Sequence, residues 1–129
     1  MFPSVQARKM IFLLLEISLA MAAVYHGVGL FYKIDGSPLI RHAIFVGLDL
    51  FCVYGFLKGR KYFVFFFAAF TVQQYYTHGQ HLIEMWINQG EIHWISVFVL
   101  VLLPLGLICL IAEWLQSFVH GIFTNPNVQ

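Results

Sequence analysis

The chain has 129 residues, of which 60% are hydrophobic, 18% aromatic and only 10% charged. A soluble domain carries about 25% charged residues, so this composition excludes an ordinary soluble protein and predicts a single integral membrane domain over 1–129. The net charge of +1 and the absence of a long basic run give no indication of a nucleic-acid partner. The two cysteines, Cys52 and Cys109, lie in apolar stretches without a CxxC pair, so no thiol redox site or zinc knuckle is indicated.

Four apolar stretches are long enough to cross a bilayer, which requires about 20 helical residues. Charged or turn-forming segments separate them, including a proline that suits the first turn of the second helix. The sequence therefore predicts an all-α bundle of four transmembrane helices, at about 10–32, 38–57, 62–87 and 92–118.

The first helix begins like a secretory signal peptide, because Arg8 and Lys9 precede an apolar run and small residues. Glu16 in the middle of that run favours a retained helix instead. Glu16 shares a helix face with three small residues, which is typical of close helix packing: Ala20, Ala23 and Gly27. Glu16 is therefore expected to face protein, either on a proton path or as a protonated carboxyl group that bonds another helix.

The second helix carries His42 and Asp49 seven residues apart, hence on one face. Asp49 lies ~18 Å into the span, near the membrane midplane. A carboxyl group at that depth is costly and usually functional or paired. Asp49 is expected either to join a polar path or to be neutral or bonded to Gln73, Gln74 or a tyrosine of the third helix.

The third helix is the most polar, with one stripe formed by Thr71, Gln74, His78, His81 and Met85. Two histidines three residues apart can chelate a metal ion, and Glu84 extends the pattern by another three. The sequence thus offers His78, His81 and Glu84 as a metal site, although no HExxH motif is present. The alternative is that these side chains bond neighbouring helices and interfacial water.

Five of the six histidines fall at the same end of the predicted spans. Histidine ligates metals and haem, and it carries protons near neutral pH. Helical bundles hold such cofactors between facing helices. The sequence predicts a site for haem b, another tetrapyrrole or a transition metal, although polar residues also gather at a wet interface without any cofactor. The predicted ligands are His26, His42, His78, His81 and His93.

The two halves of the chain resemble each other weakly. His26-Gly27-x-x-Leu30 matches His78-Gly79-x-x-Leu82 at an offset of 52, and His42-x-Ile44-x-Val46 matches His93-x-Ile95-x-Val97 at an offset of 51. Two helices per repeat predict tandem helical hairpins related by a pseudo-two-fold axis along the membrane normal. Leucine, isoleucine and valine matches are common in so apolar a chain, whereas paired histidines are less so.

The distribution of lysine and arginine predicts the orientation. Five such residues lie at the N-terminus and in the second connection, against two on the other side: Arg8, Lys9, Lys58, Arg60 and Lys61 against Lys33 and Arg41. This bias predicts an inner-membrane protein with both termini in the cytoplasm. The histidines would then face the outer, periplasmic side.

Two functions follow from these features, and a catalyst acting alone is not indicated, because no nucleophile–base pair or phosphate loop is present. The first is an accessory or anchoring subunit of a larger membrane complex, surrounded by lipid and bound to other subunits or itself, with the histidines as its cofactor site. The alternative is an oligomeric transporter of protons or metal ions. Its path would use Glu16, Asp49, Gln73 and Gln74 together with the histidines.

Overall fold

A computed structural model describes residues 3–32, 34–59 and 62–123, with side chains up to Val119. Over these residues the chain forms four α-helices and no strand. The all-α prediction is therefore confirmed, with helix ends that differ from the predicted ones by a few residues. The helices are α1 (Val5–Gly29), α2 (Leu39–Lys58), α3 (Phe63–Gln89) and α4 (Trp94–Phe123).

Proline and glycine set the helix ends. Pro38 precedes α2 in an extended conformation, and Gly59 ends it with a left-handed φ of 55°. The Gly59 N–H donates to the Gly55 carbonyl oxygen at 3.0 Å. Gly90, at φ 68°, closes α3 in the same way by donating to the Trp86 carbonyl oxygen at 3.0 Å. Only glycine adopts these angles without strain, so both turns are encoded locally.

Within the part of the chain that is described, three helices are long and apolar enough to cross a membrane: α1, α2 and α4 over Trp94–Val119. Helix α3 has 27 residues and is therefore long enough, but it carries more polar side chains than the others. Three predicted spans are thus supported by length and composition.

The chain divides into two compact units. The first is Phe12–Phe63, which we call the α1–α2 unit, and the second is Met1–Ile11 with Val64–Gln129, which we call the α3–α4 unit. In the α1–α2 unit, α1 buries Leu15, Leu19 and Ala23 on one face. Gly55 of α2 lets the Phe63 ring lie directly against the helix backbone, since a β-carbon there would collide with it.

The α3–α4 unit has a larger apolar core, built from Phe67, Phe70, Leu102, Leu103, Cys109 and Ala112. Arg8 joins this unit from the N-terminal segment, where it is 5% exposed and donates from Nη1 to the Gln116 Oε1 atom at 2.9 Å. The side chain counted above as a cytoplasmic surface charge is therefore a buried structural one. Lys33, Arg60 and Lys61, which also entered that count, lie outside the described residues.

Candidate histidine sites

The five histidines predicted to lie at one end of the spans come together in two groups, one in each unit. His26 near the end of α1 meets His42 near the start of α2. In the other unit, His78 and His81 of α3 lie with His93, which immediately precedes α4. The sequence did not predict these pairings: it placed His26 opposite His78 and His42 opposite His93 in a symmetric bundle, and that arrangement stays a prediction. A single cluster of all five stays a prediction.

His42 is the most enclosed of these histidines, at 2% exposed. Its ring packs on the backbone of α1 at Gly29, where an added β-carbon would lie 2.6 Å from the ring atoms Nδ1 and Cε1. Any side chain at this position must displace the imidazole. Gly29 is thus the residue that admits His42 into the interface of α1 with α2.

Asp35, in the connection between α1 and α2, bonds the Nε2 atom of the His42 ring. His42 Nε2 lies 3.2 Å from Asp35 Oδ1, and the Asp35 side chain is 34% exposed. The Ser37 N–H donates to Asp35 Oδ1 at 2.9 Å, and the Tyr25 hydroxyl donates to Oδ2 at 3.1 Å. The hydrogen bond from the Ser37 backbone, helped by its hydroxyl, Tyr25 and the neighbouring His42, lowers the pKa of Asp35 to about 2.

The two rings of the α1–α2 unit share a proton. Nδ1 of His26 lies 3.0 Å from Nδ1 of His42, a distance that requires one hydrogen between the two nitrogens. The contact to Asp35 requires a hydrogen on His42 Nε2. When His42 is neutral, its Nδ1 therefore accepts, His26 donates from Nδ1, and His26 Nε2 carries a lone pair. We call this arrangement the Asp35–His42–His26 chain.

Aromatic rings position His26. It stacks on Phe45 with ring centroids 5.1 Å apart and an interplanar angle of 21°, and it meets the edge of Tyr25 at 5.2 Å. The Arg41 guanidinium lies 5.9 Å above the other ring of this stack, Phe45, and donates to the Ser37 hydroxyl at 3.1 Å. The half-buried His26 ring is therefore fixed on two sides before any ligand or proton reaches it.

Ser96 links the histidines of the α3–α4 unit. It is fully buried, and its Oγ atom lies 3.0 Å from His78 Nδ1 and 2.8 Å from His93 Nδ1. The Ser96 backbone N–H also donates to His93 Nδ1 at 3.3 Å, so that nitrogen is an acceptor. A serine hydroxyl has one hydrogen. It consequently donates to His93 and accepts from His78 Nδ1–H, which fixes both tautomers.

His81 adds a second imidazole beside His93. Its ring meets the His93 ring edge-on, with centroids 4.6 Å apart and an interplanar angle of 79°. Burial, and then the neighbouring His81, lowers the pKa of His93 below its usual value of 6.5. His93 therefore favours the neutral form in which it caps the start of α4.

The predicted metal site on α3 finds no support from the geometry. No three histidine, cysteine, aspartate or glutamate side chains converge on a point suited to a metal ion among the residues that the structure describes. Glu84 is exposed, whereas His78 and His93 are bonded to Ser96. Metal binding by His78, His81 and Glu84 stays a prediction.

The residues of the predicted polar path are divided between the two units. In the α1–α2 unit, Asp49 is 3% exposed, its Oδ2 atom has no hydrogen-bond partner in the described part of the chain, and Glu16 is half-buried. In the α3–α4 unit, the buried Gln74 donates to the Oε1 atom of the exposed Gln73 at 2.8 Å. The predicted bond between Asp49 and a residue of α3 stays untested.

Sequence reasoning missed three residues that define these sites. The sequence indicates for Asp35 only a place in the turn between the first two helices, and it indicates no role for Ser96 or Gly29. The signal for Asp35 was its place between the two halves of a histidine pair, within reach of the helix ends. Gly29 and Ser96 carry no comparable signal, because their importance depends on which ring packs against them.

No protein-family model, curated protein or solved structure matches this chain. Its function is therefore inferred from the chemistry of these side chains.

Proposed function

We propose that this protein spans the membrane four times and transfers protons through the hydrogen-bonded Asp35–His42–His26 chain. Apolar side chains exposed along α4 support membrane insertion, because in water they would form a large unfavourable surface: Ile95, Phe98, Val101, Leu105 and Ile108. Helix α3 is proposed as the fourth span. Its 27 residues extend about 40 Å, more than the roughly 30 Å of a hydrocarbon core.

The hydrogen-bond geometry supports proton transfer in a stated order. A proton arrives on Nε2 of His26, and the hydrogen on His26 Nδ1 passes to His42 Nδ1 across the 3.0 Å contact. The hydrogen on His42 Nε2 then passes to Asp35 or to water beside it. One proton enters and one leaves, and the two rings exchange tautomers. A cycle is complete when the starting tautomers are restored.

The same unit supplies groups that continue the path toward the membrane interior. Asp49 lies seven residues beyond His42 on the buried face of α2, about 10 Å along the helix. Glu16 lies ten residues before His26 on α1, about 15 Å along it. These gaps exceed a hydrogen bond, so water must connect the groups. Carboxyl groups and histidines at successive depths are the usual components of membrane proton relays.

The orientation that we propose keeps both termini in the cytoplasm of an inner-membrane protein. Lys9 and Lys58 are exposed at the ends of α1 and α2 that lie opposite the histidines. Exposed lysines near helix ends favour the cytoplasmic side. The mouth of the proton path, at Asp35, then faces the outer side.

A second candidate function is that of an accessory subunit with a tetrapyrrole or transition metal bound at His26. One observation favours it. A ligating histidine typically donates its other N–H to a second group that fixes the ring, and His26 donates from Nδ1 to His42 while its Nε2 keeps a lone pair. Haem b at this nitrogen would give a Soret band that is lost in His26→Phe.

Proton flux into liposomes tests the proposal. The purified protein is reconstituted with a trapped pH-sensitive dye, and a potassium diffusion potential drives the protons. We expect flux from the wild type and a loss of at least about tenfold in His26→Phe and Asp35→Asn, since each removes a carrier from the chain. Matched controls at exposed sites outside it, Tyr32→Phe and Glu91→Gln, should conduct like the wild type. A wild type without flux, or variants equal to their controls, would contradict the proposal.

A further inference from the structure

Helix α3 exposes a row of polar side chains that the proton path does not use. Gln73, Thr77 and Gln80 follow one another at intervals of four and three residues, so they lie on one face. Gln73 and Gln80 are exposed and Thr77 is half-exposed. Thr71, on the opposite face, is buried in the α3–α4 unit, and so is Gln74, which lies about 100° around the helix from Gln73. We call the exposed row the α3 polar ladder.

The depth of the ladder makes its exposure unfavourable in lipid. In the proposed fourth span, Gln73 lies about 15 Å from the start of α3 and Gln80 about 26 Å from it. Both positions fall within a hydrocarbon core of roughly 30 Å. Polar side chains at such depth almost always face protein or water rather than lipid.

Contacts within the helix satisfy only part of the ladder. Gln73 donates from Nε2 to Thr77 Oγ1 at 3.1 Å, and Thr77 donates to the Gln73 carbonyl oxygen at 3.1 Å. Gln80 donates to the Tyr76 hydroxyl at 2.8 Å. A glutamine amide offers two hydrogens and an oxygen with two lone pairs. These bonds therefore leave capacity for donors and acceptors from another helix.

The chemistry of the ladder indicates a second copy of the same helix. We propose that two chains pair through their α3 polar ladders, in parallel, about a two-fold axis along the membrane normal. Such an axis places each ladder glutamine opposite itself, where one amide both donates to and accepts from its equivalent. Two uncharged amides are self-complementary in this way. The exposed Ala69 and the half-exposed Thr77, on the same face, are small enough to let the backbones approach.

The pairing depends on α3 as the fourth span but not on proton transfer. Disulfide crosslinking in native membranes tests it. Cys52 and Cys109 are fully buried and are first replaced by alanine, which leaves no native thiol. Thr77→Cys is then compared with Val72→Cys, a matched site on α3 that is 69% exposed but about 100° away from Gln73.

We expect Thr77→Cys to form a dimer of twice the chain mass on oxidation, whereas Val72→Cys stays monomeric. Gln73→Leu with Gln80→Leu should reduce the crosslinked fraction and weaken dimerisation in detergent about tenfold, while Val72→Leu should not. Equal crosslinking at both positions, no dimer at Thr77→Cys, or an adduct with a different protein would each overturn the proposal. Proton flux is measured on the same variants, so that a failure of the α3 pairing can be distinguished from a failure of the proton path.

Discussion

The two histidine groups occupy equivalent places in the predicted repeat and differ in what surrounds them. His26 and His42 correspond to His78 and His93 at offsets of 52 and 51. In the α1–α2 unit the two rings bond each other directly, whereas in the α3–α4 unit Ser96 lies between them. The same pair of histidines thus becomes a direct proton contact in one unit and a serine-bridged contact in the other.

Substitutions at matching positions explain this difference. The position equivalent to Gly29 is His81. The missing side chain at Gly29 admits the His42 ring to the backbone, whereas the His81 ring occupies space beside His93. The position equivalent to Phe45, which stacks on His26, is Ser96.

A carboxylate distinguishes the groups further. Asp35, in the connection between α1 and α2, bonds the Nε2 atom of His42. In the described part of the α3–α4 unit, no carboxylate bonds His93 in this way. Because the Asp35–His42–His26 chain ends on a partly exposed carboxylate, it can exchange protons with water. Ser96, in contrast, fixes the tautomers of His78 and His93. The comparison therefore places the proposed proton transfer in the α1–α2 unit and gives the α3–α4 group a proposed structural role.

The largest expected effect comes from filling the space at Gly29. Gly29→Ala places a β-carbon 2.6 Å from the His42 ring and should destabilise the protein by about 1–3 kcal/mol, because either the ring or α1 must move. Gly27→Ala is the matched control, since nothing lies within 4 Å of its β-carbon. Removing a helical glycine there should stabilise by up to about 1 kcal/mol. Thermal unfolding in detergent measures both, and equal effects would contradict the packing described for His42.

Removing the serine bridge should have the next largest effect. Ser96→Ala leaves the nitrogens of His78 and His93 without their buried hydroxyl partner, which costs about 1–3 kcal/mol. Ser117→Ala makes the same change at an exposed position of α4 and should stay within about 0.5 kcal/mol of the wild type. Unfolding curves that coincide for the two variants would show that the bridge contributes nothing.

Asp35→Asn should have a smaller effect that depends on pH. The folded-state pKa of about 2 lies below the ordinary value of 3.8, so Asp35 stabilises the fold above pH 3.8, and this contribution disappears as pH falls toward 2. The difference between variant and wild type should be at most about 1 kcal/mol, because the carboxylate is partly exposed. Unfolding at pH 2, 3, 4 and 6 measures it, with Glu91→Gln as the exposed-carboxylate control. A difference that grows toward low pH would contradict this assignment.

The smallest expected effect concerns His93. Its folded-state pKa lies below 6.5, so as pH falls through 6.5 the unfolded chain takes up a proton first and the folded state loses stability. His93→Asn should weaken that pH dependence while it still caps α4. In NMR titrations, His81→Gln should raise the pKa of His93 toward 6.5. An unchanged pKa would show that the neighbouring ring has no electrostatic influence.

The sequence allowed the helices to be predicted for physical reasons, but not the pairing of the histidines. Apolar length and glycine or proline at the ends determine the helices locally, and the helical period places His26 and His42 near one connection. The details of each pair depend on contacts between helices. Whether His42 meets Gly29 or a bulkier residue, and whether Ser96 faces inward, follows only from the packing.

The contact of Arg8 also could not be predicted from the sequence. Composition places an arginine before an apolar helix at the surface, where it serves as an orientation signal. In the folded chain Arg8 is buried and bonded to Gln116, 108 residues away. A contact between such distant positions leaves no periodic signal in a single sequence.

The shared proton between His26 and His42 is the central claim, and NMR of protein with ¹⁵N-labelled histidine tests it most directly. The geometry predicts hydrogens on His42 Nε2 and His26 Nδ1, with a coupling across the hydrogen bond between the two Nδ1 atoms that is lost in Gly29→Ala. Two rings that titrate independently, with His26 protonated at Nε2 alone and no coupling to His42, would contradict it.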